Sequence, residues 1–335
     1  MPQNELLLFV LFNVFILLLL ALDLGVFHRK DEAVSLREAA VWSAVWILLS
    51  LVFNLGLYFW VKDRTGSASE ALRVSLEFLT GYLMEKALSV DNIFVFILMF
   101  SYFGVPAKFH HRVLFLGVLG ALIMRAVFIA LGAALIARFD WILIIFGIIL
   151  IVSGWKMAFG GGEEVHPDKN IVIRLAKKLF PVKVGFDSHR FIVREHGKRH
   201  ITTLFLVLLT VETTDVIFAV DSIPAVFGVT RDPFIVYSSN VFAILGLRAL
   251  YFLLAGIMNT FYYLKYGLSL ILVFVGCKML VEDVVHIPIG ISLGVVGTVL
   301  TVTIAMSLVR NRRAVVRRHH PPSSLPSHNP SGDSS

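Results

Sequence analysis

The stretch ITTLFLVLLTVETTDVIFAVDSIPAVF, residues 201–227, decides how the chain is read. It is long enough to cross a bilayer as a helix, because a hydrocarbon core of ~30 Å needs about 20 apolar residues. Yet it carries Glu212, Asp215 and Asp221 in its interior. An acid at the centre of a membrane helix costs at least ~2.5 kcal/mol on insertion scales. Three in one span point to a site rather than to packing.

Eight further apolar blocks of membrane length flank this one, at roughly 6–27, 39–60, 76–103, 113–136, 141–159, 234–258, 262–281 and 287–309. The fold class expected is an all-α polytopic membrane protein of about nine transmembrane helices. Composition agrees: of 335 residues, 57% are hydrophobic and 16% charged, with mean hydropathy +0.83. Soluble domains average about 25% charged, so a soluble enzyme and a disordered chain are both excluded. The first block carries Glu5, lacks a basic leader and has no small-x-small cleavage site before His28, so it reads as a span rather than a signal peptide.

The net charge of +7 does not mark a nucleic-acid partner, because the basic residues lie between the apolar blocks. With the N-terminus outside, inner segments 28–38, 104–112, 160–200, 259–266 and 310–335 hold twenty of the 30 Lys and Arg residues; the outer segments hold five. The positive-inside rule therefore places the N-terminus outside and the C-terminus in the cytoplasm of a multi-pass cell (inner or plasma) membrane protein. The segment 160–200 reads as a basic cytoplasmic loop on anionic headgroups, with an amphipathic stretch at 171–180. Its His166, His189, His196 and His200 match no zinc-ligand spacing. The tail beyond 318 is Pro/Ser/His-rich and is expected to be disordered. A single cysteine, Cys277, excludes an intrachain disulfide.

Two stretches match in order. Ser89-Val90-Asp91-Asn92-Ile93, Arg125-Ala126-Val127-Phe128 and Gly154-Trp155-Lys156-Met157 are answered by Ala219-Val220-Asp221-Ser222-Ile223, Arg248-Ala249-Leu250-Tyr251 and Gly276-Cys277-Lys278-Met279. An acid stands six residues before each central Asp: Glu85 in one copy, Asp215 in the other. Each copy holds three spans, an odd number, so the second enters from the opposite face and the repeat is inverted. Such repeats place their substrate site near the midplane. The expected organisation is 1–70, two N-terminal helices; 71–159, first repeat; 160–200, the loop; 201–283, inverted repeat; 284–309, last helix; 310–335, basic tail.

Six acids fall within spans: Asp23, Glu85, Asp91, Glu212, Asp215 and Asp221. Together they oppose insertion by roughly 15 kcal/mol before compensation. Lys86, Arg125 and Arg248 can offset three of them; a cation or protons would have to offset the rest. Asp23, near the inner end of its span, can also reach headgroups. Glu77, near the outer boundary, is left out. Glu212 and Asp215 share a helix face, whereas Glu85 and Asp91, or Glu212 and Asp221, do not. One site using all of them requires tilted or kinked helices, and Pro224 offers a kink. Oxygen ligands without Cys or His suit Mg²⁺, Ca²⁺ or Mn²⁺ rather than zinc or copper.

Glu85-Lys86-Ala87-Leu88-Ser89-Val90-Asp91-Asn92, the run 212–224 and Ser239-Asn240-Val241-Phe242-Ala243-Ile244-Leu245-Gly246-Leu247-Arg248-Ala249-Leu250-Tyr251 strongly resemble the TerC family of integral membrane proteins, in its longer, Alx-like branch. The likeness runs from about residue 6 to 309. It implies an inner-membrane protein of a family linked to tellurium resistance, with several members implicated in manganese export and a distant grouping with LysE-type exporters. It points to Glu85, Asp91, Asn92, Glu212, Asp215, Asp221 and Asn240 as the functional acids and amides. The expected function is gradient-driven export of a hard divalent cation, foremost Mn²⁺, with no tightly bound cofactor. The competing expectations are a non-transporting scaffold tied to tellurite resistance or membrane-protein assembly, and an exporter of organic cations or amino acids. No hydrolytic or nucleotide motif is present, so no enzyme activity is expected. The expected partners are the bilayer and a divalent metal ion; homo-oligomerisation is left open.

Overall fold

The computed structural model describes residues 3–27, 35–139, 141–160, 170–183, 185, 190–195, 198–255, 263–282, 284–285 and 287–319. The chain is almost wholly helical: α1 (Gln3–Phe27), α2 (Leu36–Thr65), α3 (Ala68–Tyr102), α4 (Ala107–Arg138), α5 (Ile142–Phe159), α6 (Ile171–Leu179), α7 (Thr203–Phe227), α8 (Pro233–Leu245), α9 (Leu247–Ala255), α10 (Leu264–Val281) and α11 (Ile289–His319). Local chemistry sets the boundaries. Ser35 and Ser67 each accept a hydrogen bond from the backbone N–H of the Glu three residues on, Glu38 and Glu70, which caps the starts of α2 and α3. Gly66, at φ 66°, closes α2 and turns the chain into α3. Asp232 caps α8, with Pro233 in its first turn.

Among the described residues, six helices (α2, α4, α5, α7, α10 and α11) are long and apolar enough to cross a membrane, and the α8–α9 pair, bent by 42°, makes a seventh if counted as one span. The nine expected spans are thus six or seven by this measure. The described apolar run of α1 covers only Leu7–Leu22, and α3 carries Glu77, Glu85, Lys86 and Asp91 along its length. The protein is integral to a membrane, and its surface fits that setting. Leu22, Leu48, Ile123 and Trp155 are each about 60% exposed, while Glu85, Arg125, Asp215 and Asn240 are buried. Apolar outside and polar within is the arrangement that lipid permits.

The α3–α5 segment packs against the α7–α10 segment in a reciprocal way: α3 on α8, α4 on α7, and α5 along α10. The α5–α10 contact is the closest. Backbones meet at Gly147 and Gly276, and the Ser269 hydroxyl donates to the Gly154 carbonyl at 2.5 Å. Small residues make such an approach feasible in lipid.

Three details depart from the sequence reading. Pro224 does not break the helix: α7 runs through it to Phe227, and the break falls at Gly246, between α8 and α9. The segment 160–200 is more than a solvated connector. α6 docks on α7 through the Asn170 amide, which donates to Thr213 Oγ1 at 2.8 Å, and through Ile173, buried against Ile201 and Leu206. A small sheet follows, ordered β1 (Val182–Lys183), β3 (Lys198–Thr202), β2 (Ile192–Glu195), so the chain is not strictly all-α. Third, α11 continues past the last span to His319. Gly161, Gly162, His166, His189, His196, the side chains of Asp23 and His319, and the tail from His320 lie outside the described residues, while His200 sits in β3.

Candidate functional site

Glu85 is the central residue of the 35-residue α3, and Asp215 the central residue of the 25-residue α7. On α3, Glu85, Ser89 and Asn92 recur at i, i+4 and i+7; on α7, Asp215, Ala219 and Ser222 do the same. All six are buried. That spacing is one helix face, so each segment turns one matched stripe inward.

Between the stripes lies Arg125 of α4. Its Nη1 donates to Glu85 Oε1, to Asn240 Oδ1 at 2.8 Å and to Ser222 Oγ at 3.3 Å. Its Nη2 donates to Asp215 Oδ1 at 3.4 Å. The Asn240 amide donates in turn to Glu85 Oε2 at 3.2 Å. Four elements, α3, α4, α7 and α8, thus converge on one guanidinium. Two carboxylates and one arginine leave the cluster one negative charge in excess. Asp215 Oδ2, Arg125 Nε, Ser89 Oγ and Asn92 Nδ2 are buried with no hydrogen-bond partner among the described residues. Buried polar atoms are paired in the great majority of cases, so this cluster is polar and under-satisfied.

The other expected residues are placed differently. Asp91 and Asp221, each ~120° around its helix from the central acid, are half-buried. Asp221 Oδ1 accepts from Ser153 Oγ of α5 at 2.6 Å, which turns it from the Arg125 cluster toward α5. Glu212 is half-buried one turn before Asp215, its carboxylate lying against the backbone of Gly120 in α4. Lys86, among the described residues, pairs with no carboxylate: Nζ donates to the Ala243 carbonyl at 3.2 Å. It caps the end of α8 at the break, where carbonyls lose their helical partners and a cation is favoured. Arg248 is buried in the first turn of α9. Among the described residues no three of His, Cys, Asp and Glu form a group that could hold a metal ion. Helix periodicity explains why: each central acid and the Asp six residues on diverge around the axis, and both helices are unbroken between them.

Sequence reasoning missed three contacts. Glu77, set aside as peripheral, is buried and bound by Arg73 and by Thr230 Oγ1 at 2.7 Å. Ser153 had no signal beyond lying three residues before Lys156. Gly120 could be found only once α4 lay on α7. A Cβ there would overlap the Glu212 carboxylate, the free end of a flexible side chain. Gly120→Ala should therefore fold within about 1 kcal/mol of wild type while displacing Glu212. Membrane abundance and thermal midpoint of the purified variant test this; a large loss of either would mean that Glu212 cannot move aside.

Residues 71–315 match the model of the integral membrane protein TerC family. The chain belongs to the TerC family. Similar proteins match over 90% of its length. It is 50% identical over 302 residues to "Putative membrane-bound redox modulator Alx" of Photorhabdus laumondii, which spans 90% of this chain and 94% of the relative. Identity is 48% over 303 residues both to the Escherichia coli K12 protein of the same name, with the same coverage, and to "Uncharacterized membrane protein STKORF319" of Myxococcus xanthus, at 90% and 92%. No solved structure matches the chain.

Proposed function

We propose that this TerC protein is a transporter, not an enzyme, that exports a hard divalent cation, foremost Mn²⁺, across the cell membrane. One observation carries the reading. Two repeat-matched acids, Glu85 and Asp215, meet at the centres of their helices on a single buried guanidinium, with negative charge left over. Arg125 acts as a tethered cation that holds the acids when cargo is absent and yields them when cargo enters. Carboxylate and amide oxygens from Glu85, Asp215, Asn92 and Asn240 suit Mn²⁺, Mg²⁺ or Ca²⁺. Asp91, Glu212 and Asp221 lie beside this centre as entry and exit ligands.

Two features support a nine-span, inverted-repeat scaffold. Counting α1 and α3 with the seven candidate spans gives nine. Exchanging α3 with α7, α4 with α8–α9 and α5 with α10 carries the principal contacts, α3–α8, α4–α7 and α5–α10, onto one another, down to Gly147–Gly276 and Ser269–Gly154, which exchange with each other. The basic-residue bias then sets the N-terminus outside, with 160–200 and the C-terminus in the cytoplasm.

The competing class is a scaffold that does not transport. It is favoured by the self-contained Glu85–Arg125–Asp215 pairing and by the lack of a metal-holding group among the described residues. The relatives' name points to redox modulation; in this chain a single cysteine leaves no intrachain dithiol to carry it. Mn²⁺ uptake into everted membrane vesicles under an imposed proton gradient separates the classes. Wild type should accumulate Mn²⁺, and Asp215→Asn should cut uptake at least about tenfold, about 1.4 kcal/mol, while staying in the membrane. Wild-type vesicles that take up no more Mn²⁺ than vesicles lacking the protein would sink the transport reading.

A further inference from the structure

Away from the Arg125 cluster, at the end of the bundle where α3, α5 and α11 begin and α7 and α10 finish, lies a cavity of about 770 Å³. We propose that it binds a phosphate group, carried by a phospholipid headgroup or free in solution, through Lys278 and Arg231. This inference does not rest on the transport reading.

The charges around the cavity are unequally engaged. Both Glu77 oxygens are taken, by Arg73 and by Thr230 Oγ1. Arg73 is spent on Glu70 and Glu77. The Asp232 carboxylate is occupied as the cap of α8, accepting from the N–H groups of Phe234 and Ile235. Glu282, four residues beyond Lys278 on the same wall, is also engaged. Two cations are left without an ion pair among the described residues. Lys278 is 6% exposed, and among the described residues its Nζ donates only to the Gly228 carbonyl, at 3.2 Å. Arg231 is exposed on the same cavity wall. Neither makes an ion pair among the described residues.

A buried ammonium with one carbonyl partner and no ion pair among the described residues is costly. An anion in the adjoining space would remove that cost. Arginine offers a planar fork and lysine a point charge, the combination that phosphate oxygens accept. The apolar side of the cavity, at Leu143, Met279 and Ile289, gives an acyl chain somewhere to lie. The location at the helix ends matches the depth of headgroup phosphates flanking a ~30 Å hydrocarbon core. The repeat sharpens the point. Lys156, the counterpart of Lys278 in the matched motif, is exposed, so the buried lysine belongs to the second copy alone.

The test uses the full chain purified in detergent and three probes: dioctanoylphosphatidylglycerol, inorganic phosphate, and dioctanoylglycerol as the lipid without phosphate. Affinity is read from the rise in thermal midpoint with probe concentration. At least one phosphate-bearing probe should stabilise wild type, and dioctanoylglycerol should not. A response to the lipid alone assigns a headgroup; a response to inorganic phosphate assigns a free-anion site. Lys278→Gln should abolish the response and Lys278→Arg keep it. Arg231→Gln, at an exposed position where folding is not at stake, should weaken it at least about tenfold, about 1.4 kcal/mol. Should Lys278→Gln fail to fold, Arg231→Gln decides. The proposal is overturned if neither phosphate probe shifts wild type, if dioctanoylglycerol shifts it equally, or if Arg231→Gln responds as wild type does.

Discussion

Arg125→Ala should be the most damaging single substitution at the centre of the bundle. Removing one partner of a buried ion pair costs ~3–5 kcal/mol, because the charge left behind is neither paired nor solvated. Here two carboxylates are left behind, Glu85 and Asp215, together with the Asn240 amide oxygen that Arg125 now engages. Arg125→Lys should fall between, since one ammonium cannot reproduce contacts that the guanidinium makes through two nitrogens. The triple variant Glu85→Gln/Arg125→Ala/Asp215→Asn should recover much of the lost stability, because removing all the charges together avoids the stranded acids. Membrane abundance and the midpoint of heat-induced aggregation in detergent measure all three. An Arg125→Ala protein as stable as wild type would mean that the acids are protonated or solvated, and the tethered-cation idea would go with it.

The second large effect is expected at the α5–α10 contact. A Cβ on Gly276 would stand 2.6 Å from the Gly147 carbonyl oxygen and 3.1 Å from the Ile151 nitrogen. Those are backbone atoms, which cannot rotate aside. Gly276→Ala should cost ~1–3 kcal/mol, the usual range for overpacking, and Gly276→Val should cost more by forcing the helices apart. Gly290→Ala serves as the control, because nothing lies within 4 Å of a Cβ there. The expected order of thermal midpoints is wild type and Gly290→Ala together, then Gly276→Ala, then Gly276→Val. A Gly276→Ala midpoint equal to the control would show that the helices do not meet at this point.

The linear chain carried a good deal of this. Apolar length set most of the spans, because it is a property of consecutive residues. Helical periodicity already placed Glu212 and Asp215 on one face and Asp91 off the face of Glu85, since 100° per residue needs no tertiary knowledge. The shared order of acid, arginine and lysine in the two copies linked Glu85 with Asp215 as counterparts. What periodicity cannot give is the neighbour across the gap. Only the packing of α4 between α3, α7 and α8 brought Arg125 to both central acids, and only the apposition of α5 to α7 gave Asp221 the Ser153 hydroxyl. The break in the membrane path was misplaced for a similar reason. Pro224 lies in the last turn of α7, so the N–H it lacks removes one backbone bond near the helix end, and the helix stops three residues on. Gly246 stops α8 where Lys86, distant in sequence, can receive the freed Ala243 carbonyl. Directions around a single helix are local and were legible in the sequence; the pairing of charges is a contact between helices, and that was decided by the tertiary structure.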